Sequence, residues 1–363
     1  MSQADSRHSE LSIAIAGGGI IGLSIAWRLA QFGWQVTVFE KGSLGGESSW
    51  AGAGMVSPGG EIDAPSPLAS LAIESRQLYG SFVHELQQIS GFKVDYQECG
   101  ALELAYSPDE AEGVENRAAQ QASLGIPSKP LTNSQISSFW PRVQQQNLAA
   151  ARFYPGDAIV NPRDLVAALA DACRKSGVRI SQDCPVFQVE VESDSVTLQT
   201  AQGTSRHAAA VVAAGAWSSS IHVKGTPPVP LAEPVKGHLI GYRQPEHTCH
   251  TILRHGHTYL LQRANGLLIA GASIERAGFN REIQPGIVNS LCRSAEAVLP
   301  HLSAFAPSET WIGFRPASDV LHVEAWHSSH LYLAYGHYRN GILLAPVTAE
   351  RIGAVVNASL GTP

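Results

Sequence analysis

Three glycines, Gly17, Gly19 and Gly22, follow the apolar run Ser12 to Ala16 at G-x-G-x-x-G spacing. They open an apolar segment that reaches Phe32. Strand, glycine turn and helix in this order are the fingerprint of a dinucleotide-binding unit. Each glycine has a separate physical task. Gly17 lets the chain turn sharply out of the strand, Gly19 has no Cβ to obstruct a pyrophosphate, and Gly22 lets the helix pack close to the sheet. The helix N-terminus brings free N–H groups and a partial positive charge to the phosphates. Gly33 sits where a helix-ending glycine belongs, and Val36 to Phe39 is a second buried strand ending on Glu40. An acid about 20 residues beyond the first glycine meets the ribose hydroxyls. The unit binds a dinucleotide, and by itself the motif leaves open which one.

The stretch after Glu40, KGSLGGESSWAGAGMVSPGGEI, reads as a long loop of the kind that carries function. The hydroxyls of Ser48 and Ser49, the small residues Ala51, Gly52, Ala53 and Gly54, and the soft apolar Met55 suit close approach to a flat ligand. The apolar strand Ala208 to Ala213 leads into Gly215, a second turn expected beside a ligand. Other clusters carry less. His247, Cys249, His250, His255 and His257 crowd one stretch, but no spacing fits a structural zinc set. Strand alternation would also send neighbours to opposite faces, so no metal is assigned. Ser218 to Ser220 lacks a Gly-x-Ser-x-Gly elbow and reads as a helix start. His322 and His330 read as surface or strand-edge residues.

Pro67 to Ser90 has the i, i+3, i+4 apolar pattern of a long amphipathic helix ended by Gly91. A strand pair is expected near Asp95 to Gln97 and Ala101 to Tyr106, then helices from Pro108 to about Leu124 and from Ser134 to Phe139. Asn161-Pro162 caps a helix running to about Ser176, followed by strands at Val178 to Ile180, Val186 to Glu192 and Val196 to Thr200. From Pro227 to Gly313 the pattern is mainly strands, interrupted by a helix at Pro285 to Leu299. This second sheet points to a second domain made of separate chain segments. Leu331 to Tyr335 returns to a buried strand before a loop and a last helix starting near Gly341.

A chain of 363 residues suits two domains, and its 44% hydrophobic content is that of a soluble globular protein. The net charge of −6 argues against nucleic acid or an anionic membrane surface as partner. The N-terminal MSQADSRHSE has no secretory apolar core, and no apolar run is read as reaching the ~18 residues of a membrane span. The five cysteines are scattered, never C-x-x-C, which favours a reducing cytoplasm and gives no disulfide framework.

Four motifs in order, AGGGIIGLSIA, GGESSWAGAGMV, IGFRPAS and GHYRNGILLAP, give nearly the whole chain a resemblance to the D-amino-acid-oxidase-like flavoproteins. Within that family it is most similar to the glycine oxidases of thiamine biosynthesis. The resemblance implies an α/β architecture: a Rossmann-like FAD domain and a discontinuous substrate domain on a mainly antiparallel sheet. Residues 1–93, 152–228 and 314–363 would form the first, and 94–151 with 229–313 the second. FAD would bind noncovalently. Ile20 and Ile21 would pass under its pyrophosphate, Glu40 would hold the adenosine ribose, Lys41 would also bind the cofactor, and Val186 would lie near adenine. Ser48, Ser49, Ala53, Gly54 and Met55 would line the flavin. His337, Tyr338, Arg339, Asn340, Gly341, Ile342 and Leu343 would reach its pyrimidine edge.

The resemblance also makes Arg315 and Tyr259 the catalytic pair. A guanidinium grips a substrate carboxylate bidentately, and a tyrosine hydroxyl donates to the same group. Ile274, Met55 and Arg339 would line the substrate pocket. The implied reaction is hydride transfer from a small amino acid to flavin N5, which needs alignment rather than a strong base. Glycine is the leading substrate, with sarcosine and small D-amino acids behind it. The products would be an imine or 2-oxo acid, ammonia and, with oxygen as acceptor, hydrogen peroxide. Two readings compete: a D-amino-acid dehydrogenase passing electrons to a quinone or carrier, and a flavin- or NAD-binding module without turnover. A homo-oligomer is compatible with all three. Two departures bear on substrate identity: Ser318 to Val323 replaces an Asp-Gly-x-Pro segment, and His238 follows Pro-Val-Lys-Gly where Gln or Glu is expected.

Overall fold

The computed structural model describes residues 12–243 and 251–361. His247, Cys249, His250 and the N-terminal segment lie outside them.

Ser12–Ala16 is apolar at almost every position and buried on both faces, so it takes a central place in a parallel sheet. That six-stranded sheet runs His322–Ala325, Leu331–Tyr335, Ala209–Val212, Ser12–Ala16, Gln35–Phe39, Arg179–Ser181. All neighbours are parallel except the edge strand His322–Ala325. Helices Ile20–Gln31, Pro67–Ser90, Pro162–Lys175 and Gly341–Leu360 pack against one another beside it. Pro67–Ser90 has its expected bounds because its signals are local. Ser66 accepts from the Ala69 N–H, Pro67 opens the first turn, and Gly91 closes the helix in the left-handed region.

A four-stranded sheet, Gly203–His207, Val196–Thr200, Val186–Val191 and His222–Lys224, adjoins the central one through a core that includes Phe39, Val189, Leu198 and Leu333. The larger second sheet has eight strands, in the order Glu309–Ala317, Glu233–Arg243, Leu267–Gly271, Thr258–Gln262, Ile252–His255, Ala101–Ala105, Ala150–Tyr154, Lys129–Pro130. It is antiparallel except where Ile252–His255 meets Ala101–Ala105. The mainly antiparallel second sheet is thus present.

Several elements differ from the sequence reading. Tyr96–Gln97 and Ala101–Ala105 do not pair with each other: the first joins Ala158–Val160 and the second joins Ala150–Tyr154. The loop after Glu40 contains one-turn helices at Ser48–Ala51 and Pro58–Glu61 and a short strand at Met55–Val56. Strands Ala150–Tyr154 and Glu309–Ala317 run across the boundaries that the resemblance implied at 151/152 and 313/314. Gly341–Leu360 is long and apolar enough to cross a membrane by length and composition, contrary to expectation, yet half of its 20 residues are buried in the protein. Its Trp34-facing side is tied down by the indole N–H of Trp34 donating to Asn357 Oδ1 at 2.7 Å.

Candidate functional site

A cavity of about 380 Å³ is lined by residues from both large sheets. At one end the strand Ser12–Ala16 gives way to the glycine turn. Gly17 has φ +114°, and a Cβ there would lie 2.4 Å from the Ala213 carbonyl oxygen. A Cβ on Gly22 would lie 1.9 Å from the Gly17 oxygen, so the helix approaches the strand only because that atom is missing. Glu40, 8% exposed, ties this turn: Gly18 N donates to its Oε2 at 2.7 Å and Gly42 N to its Oε1 at 3.0 Å. Ser49 Oγ accepts from Ile20 N at 2.9 Å at the start of the helix. Ser48 Oγ donates to the Phe314 carbonyl, joining the loop to the second sheet. Lys41 Nζ lies 3.1 Å from the Trp217 ring centroid and 3.0 Å from Glu47 Oε1. Gly215, at φ +58°, and Val186 complete this wall.

The opposite wall comes from the end of the chain. Leu331–Tyr335 is followed by His337, Tyr338, Arg339 and Asn340, which carry the backbone around to the last helix. His337 Nε2 lies 3.0 Å from Thr348 Oγ1, and burial pushes the imidazole pKa down to about 3, so the ring is neutral. The first turn of the last helix has no side-chain cap and no acidic residue. Asn340 Oδ1 is buried without a hydrogen-bond partner among the described residues.

Arg315 and Tyr259 project from neighbouring regions of the eight-stranded sheet across positions that lack side chains. A Cβ on Gly237 would lie 2.4 Å from both terminal nitrogens of Arg315, and one on Gly271 would lie 2.6 Å from the Tyr259 hydroxyl. Arg315 Nη1 donates to the Ser273 carbonyl at 3.0 Å and more weakly to Lys236 O at 3.4 Å. No carboxylate lies within ion-pair distance of it among the described residues. Burial lowers its pKa, opposed by the neighbouring Tyr259 and Tyr338. Burial also raises the Tyr259 pKa, despite the charges of Arg315 and Arg339, and keeps the phenol a donor.

His238 explains how the strap above Arg315 is held. The ring is fully buried, and its Nε2 accepts from Gln284 N at 3.0 Å, which leaves the proton on Nδ1 facing Glu275 Oε1 at 2.7 Å. The His238 amide donates to Ser273 Oγ at 2.8 Å. This residue therefore anchors the segment whose carbonyl receives Arg315. Ser318 to Val323 packs beneath the turn at Gly336, whose Cβ position lies 2.7 Å from Val320 O. His322 is buried on its edge strand rather than at the surface, between Glu324 and Ser318. His330 Nδ1 meets the Ala208 carbonyl at 2.7 Å. Ser218 to Ser220 lies in a 3₁₀ turn, Gly215–Ser220.

All but two of the residues expected at the cofactor or substrate line this one cavity. Gly22 and Leu343 do not; each is packed behind the wall. Ile274 lines the cavity but is 54% exposed, at its mouth. His257, set aside with the histidine cluster, faces the cavity, and His255 instead meets Glu110. Sequence reasoning missed Glu61, whose Oε1 accepts from Arg339 Nη2 at 3.1 Å. Burial raises its pKa, while Arg339, Arg254 and Arg315 pull it down. No motif marks Glu61, because its partner lies 278 residues away in the chain.

A parallel dinucleotide-binding sheet whose cavity is walled by a second, antiparallel sheet carrying a buried arginine defines a two-sheet flavoprotein. The chain belongs to the FAD-dependent oxidoreductase family: the model described as DAO, FAD dependent oxidoreductase, matches residues 12–354. It is similar to the glycine oxidase of Geobacillus kaustophilus, 32% identical over 95% of this chain and 92% of that one. The crystal structure of glycine oxidase from Geobacillus kaustophilus superposes with a TM-score of 0.90, at 31% identity, covering 95% of this chain and 94% of that one. A bifunctional ThiO/ThiG protein from Synechocystis is 32% identical over 95% of this chain and 51% of its own length.

The residues present fit FAD. Two helix N-termini without acidic side chains in their first turns open onto the cavity, and the unpartnered Asn340 Oδ1 lies on its wall.

Proposed function

We propose that the protein oxidises a small amino acid, glycine first among them, to its imine, with oxygen reduced to hydrogen peroxide. The observation that carries this reading is Arg315: a partly buried guanidinium on a cavity wall with backbone carbonyls but no carboxylate as partners among the described residues. Such a cation is satisfied by an anion supplied from the cavity, and its planar fork fixes a carboxylate in two directions. The relatives named glycine oxidase and their shared family support the same reading.

Bound FAD supplies a two-electron acceptor at the flavin ring. The chain's residues do the rest. Arg315 and Tyr259 hold the substrate carboxylate, Met55 and Ile274 bound the side-chain space, and the Ser273 carbonyl fixes the Arg315 guanidinium. The dinucleotide-facing roles fall to Gly17, Gly19, Ile20, Ile21, Glu40, Lys41, Ser48 and Ser49, with Val186 and Gly215 at the far wall. Gly22 and Leu343 act from behind by setting helix position. His337 to Ile342, at the N-terminus of the last helix, would hold the flavin end of the cofactor. In this reading residues 1–93, 152–228 and 314–363 form the FAD domain, and 94–151 with 229–313 the substrate domain. No side chain need remove the α-proton as a strong base, so activity rises with pH as the substrate amine is deprotonated.

Anaerobic addition of glycine to the purified yellow protein is the test. The flavin absorbance should bleach, and readmitted air should restore it with about one peroxide per flavin reduced. Glycine, sarcosine, D-alanine and D-proline that all leave the colour untouched would refute the proposal. Bleaching without peroxide would replace oxygen by a quinone or carrier.

A further inference from the structure

Two arginines face the same end of the cavity, and only one is available to an anion. Arg315 has no carboxylate partner among the described residues, whereas Arg339 is paired with Glu61 at 3.1 Å. The charges of Glu61, Arg339 and Arg315 all act on one another. Glu61 is not a mobile surface acid. It is the last residue of the one-turn helix Pro58–Glu61, and that turn is pinned from several sides. Gly59 N donates to Asp157 Oδ1 at 3.1 Å, and Arg254 Nη1 donates to Asp157 Oδ2 at 2.8 Å and to Ser57 Oγ at 2.7 Å. Gln121, fully buried, donates through Nε2 to the carbonyls of Gly59 and Ile62 at 3.0 and 2.6 Å. A Cβ on Gly60 would lie 2.3 Å from Arg254 Nη1, so the turn sits directly on that guanidinium.

We infer that Glu61 is a specificity-determining residue that masks Arg339, so that the cavity accepts amino acids with one anionic group and rejects amino dicarboxylates. A second carboxylate entering beside the first meets a fixed like charge and, among the described residues, an Arg339 already paired with it, which disfavours it strongly. Removing the Glu61 charge reverses both effects at once, since Arg339 becomes a second anion site. The inference rests on the amino acid oxidase reading above.

The experiment uses the FAD-loaded protein and compares kcat/KM for glycine and for iminodiacetate. In Glu61→Gln the iminodiacetate-to-glycine ratio should rise roughly tenfold or more, the size of one additional charge-assisted hydrogen bond to the substrate. In Glu61→Gln/Arg339→Gln the ratio should fall back toward the starting value. A ratio unchanged or lowered in flavin-loaded Glu61→Gln overturns the inference. The unsubstituted protein gives an independent reading through perturbation of the flavin spectrum by carboxylate inhibitors. Acetate should bind more tightly than malonate, and malonate binding as tightly as acetate would also overturn it. Failure of glycine to bleach the unsubstituted protein sinks the oxidase reading itself, whereas normal glycine turnover with an unchanged ratio sinks only the role of Glu61.

Discussion

Replacing Gly237 by alanine tests the placement of Arg315 without touching its charge. Gly237 is buried on the strand Glu233–Arg243, opposite Gly313, in a backbone conformation open to any residue. The nearest atoms to an added Cβ all belong to the Arg315 guanidinium, with Nη1 and Nη2 at 2.4 Å. Ordinary contact begins at 3.4 Å, so the guanidinium must retreat by about 1 Å (3.4 − 2.4). A misplacement of that size in a positioning group costs about 10²-fold in turnover efficiency. The expected result is kcat/KM for glycine lowered about 100-fold, chiefly through KM, with unchanged flavin content and melting temperature. In an Arg315→Ala background the same alanine should cost less than about threefold, since the group it displaces is gone. Gly237→Ala retaining wild-type efficiency, or costing as much without Arg315 as with it, would refute the assignment of Arg315 as the carboxylate's partner.

Other outcomes follow from buried charge. Asp157→Ala strips Arg254, 9% exposed at its side chain, of its close carboxylate and leaves only Glu103 at 4.0 Å among the described residues. The cost should be about 3–5 kcal/mol in chemical denaturation, and a midpoint unchanged at constant slope would show the network to be dispensable. His207, 5% exposed, has its pKa lowered by burial from 6.5 to about 4. Between those values the unfolded chain binds a proton that the folded one refuses, so stability falls as pH drops from 6.5 toward 4. The lost amount is at most about 3.4 kcal/mol, at 1.36 kcal/mol per pH unit between 6.5 and about 4. His207→Asn should flatten that slope in urea melts at pH 4.5 and 7, and an equally steep slope in the variant would exclude His207 as its source.

What the sequence made readable was whatever its local signals determine. Ser66, Pro67 and Gly91 bound the long helix to the residue, and the apolar runs Ser12–Ala16 and Leu331–Tyr335 could only be buried strands. Gly203–His207 was missed because its residues are mostly polar and exposed, held only by pairing with Val196–Thr200. Lys129–Pro130, exposed at the sheet's edge, left equally little pattern. The glycine turn, Arg315 and the turn before the last helix carried motifs, so they could be placed on one site in advance. Glu61 and the Gly237 gap carried none. Their meaning lies in neighbours brought close by tertiary folding, and periodicity is blind to such distances.

The Trp34–Asn357 contact spans 323 residues and sets the order in which this molecule can be assembled. At about 5–20 residues per second, the ribosome needs roughly 16–65 s to cover that interval. Throughout it, the helix after the glycine turn lacks the C-terminal neighbour that covers its flank. The nucleotide cradle is also missing its closing wall. Binding of the coenzyme therefore waits for residues 337–342, which complete the cavity wall.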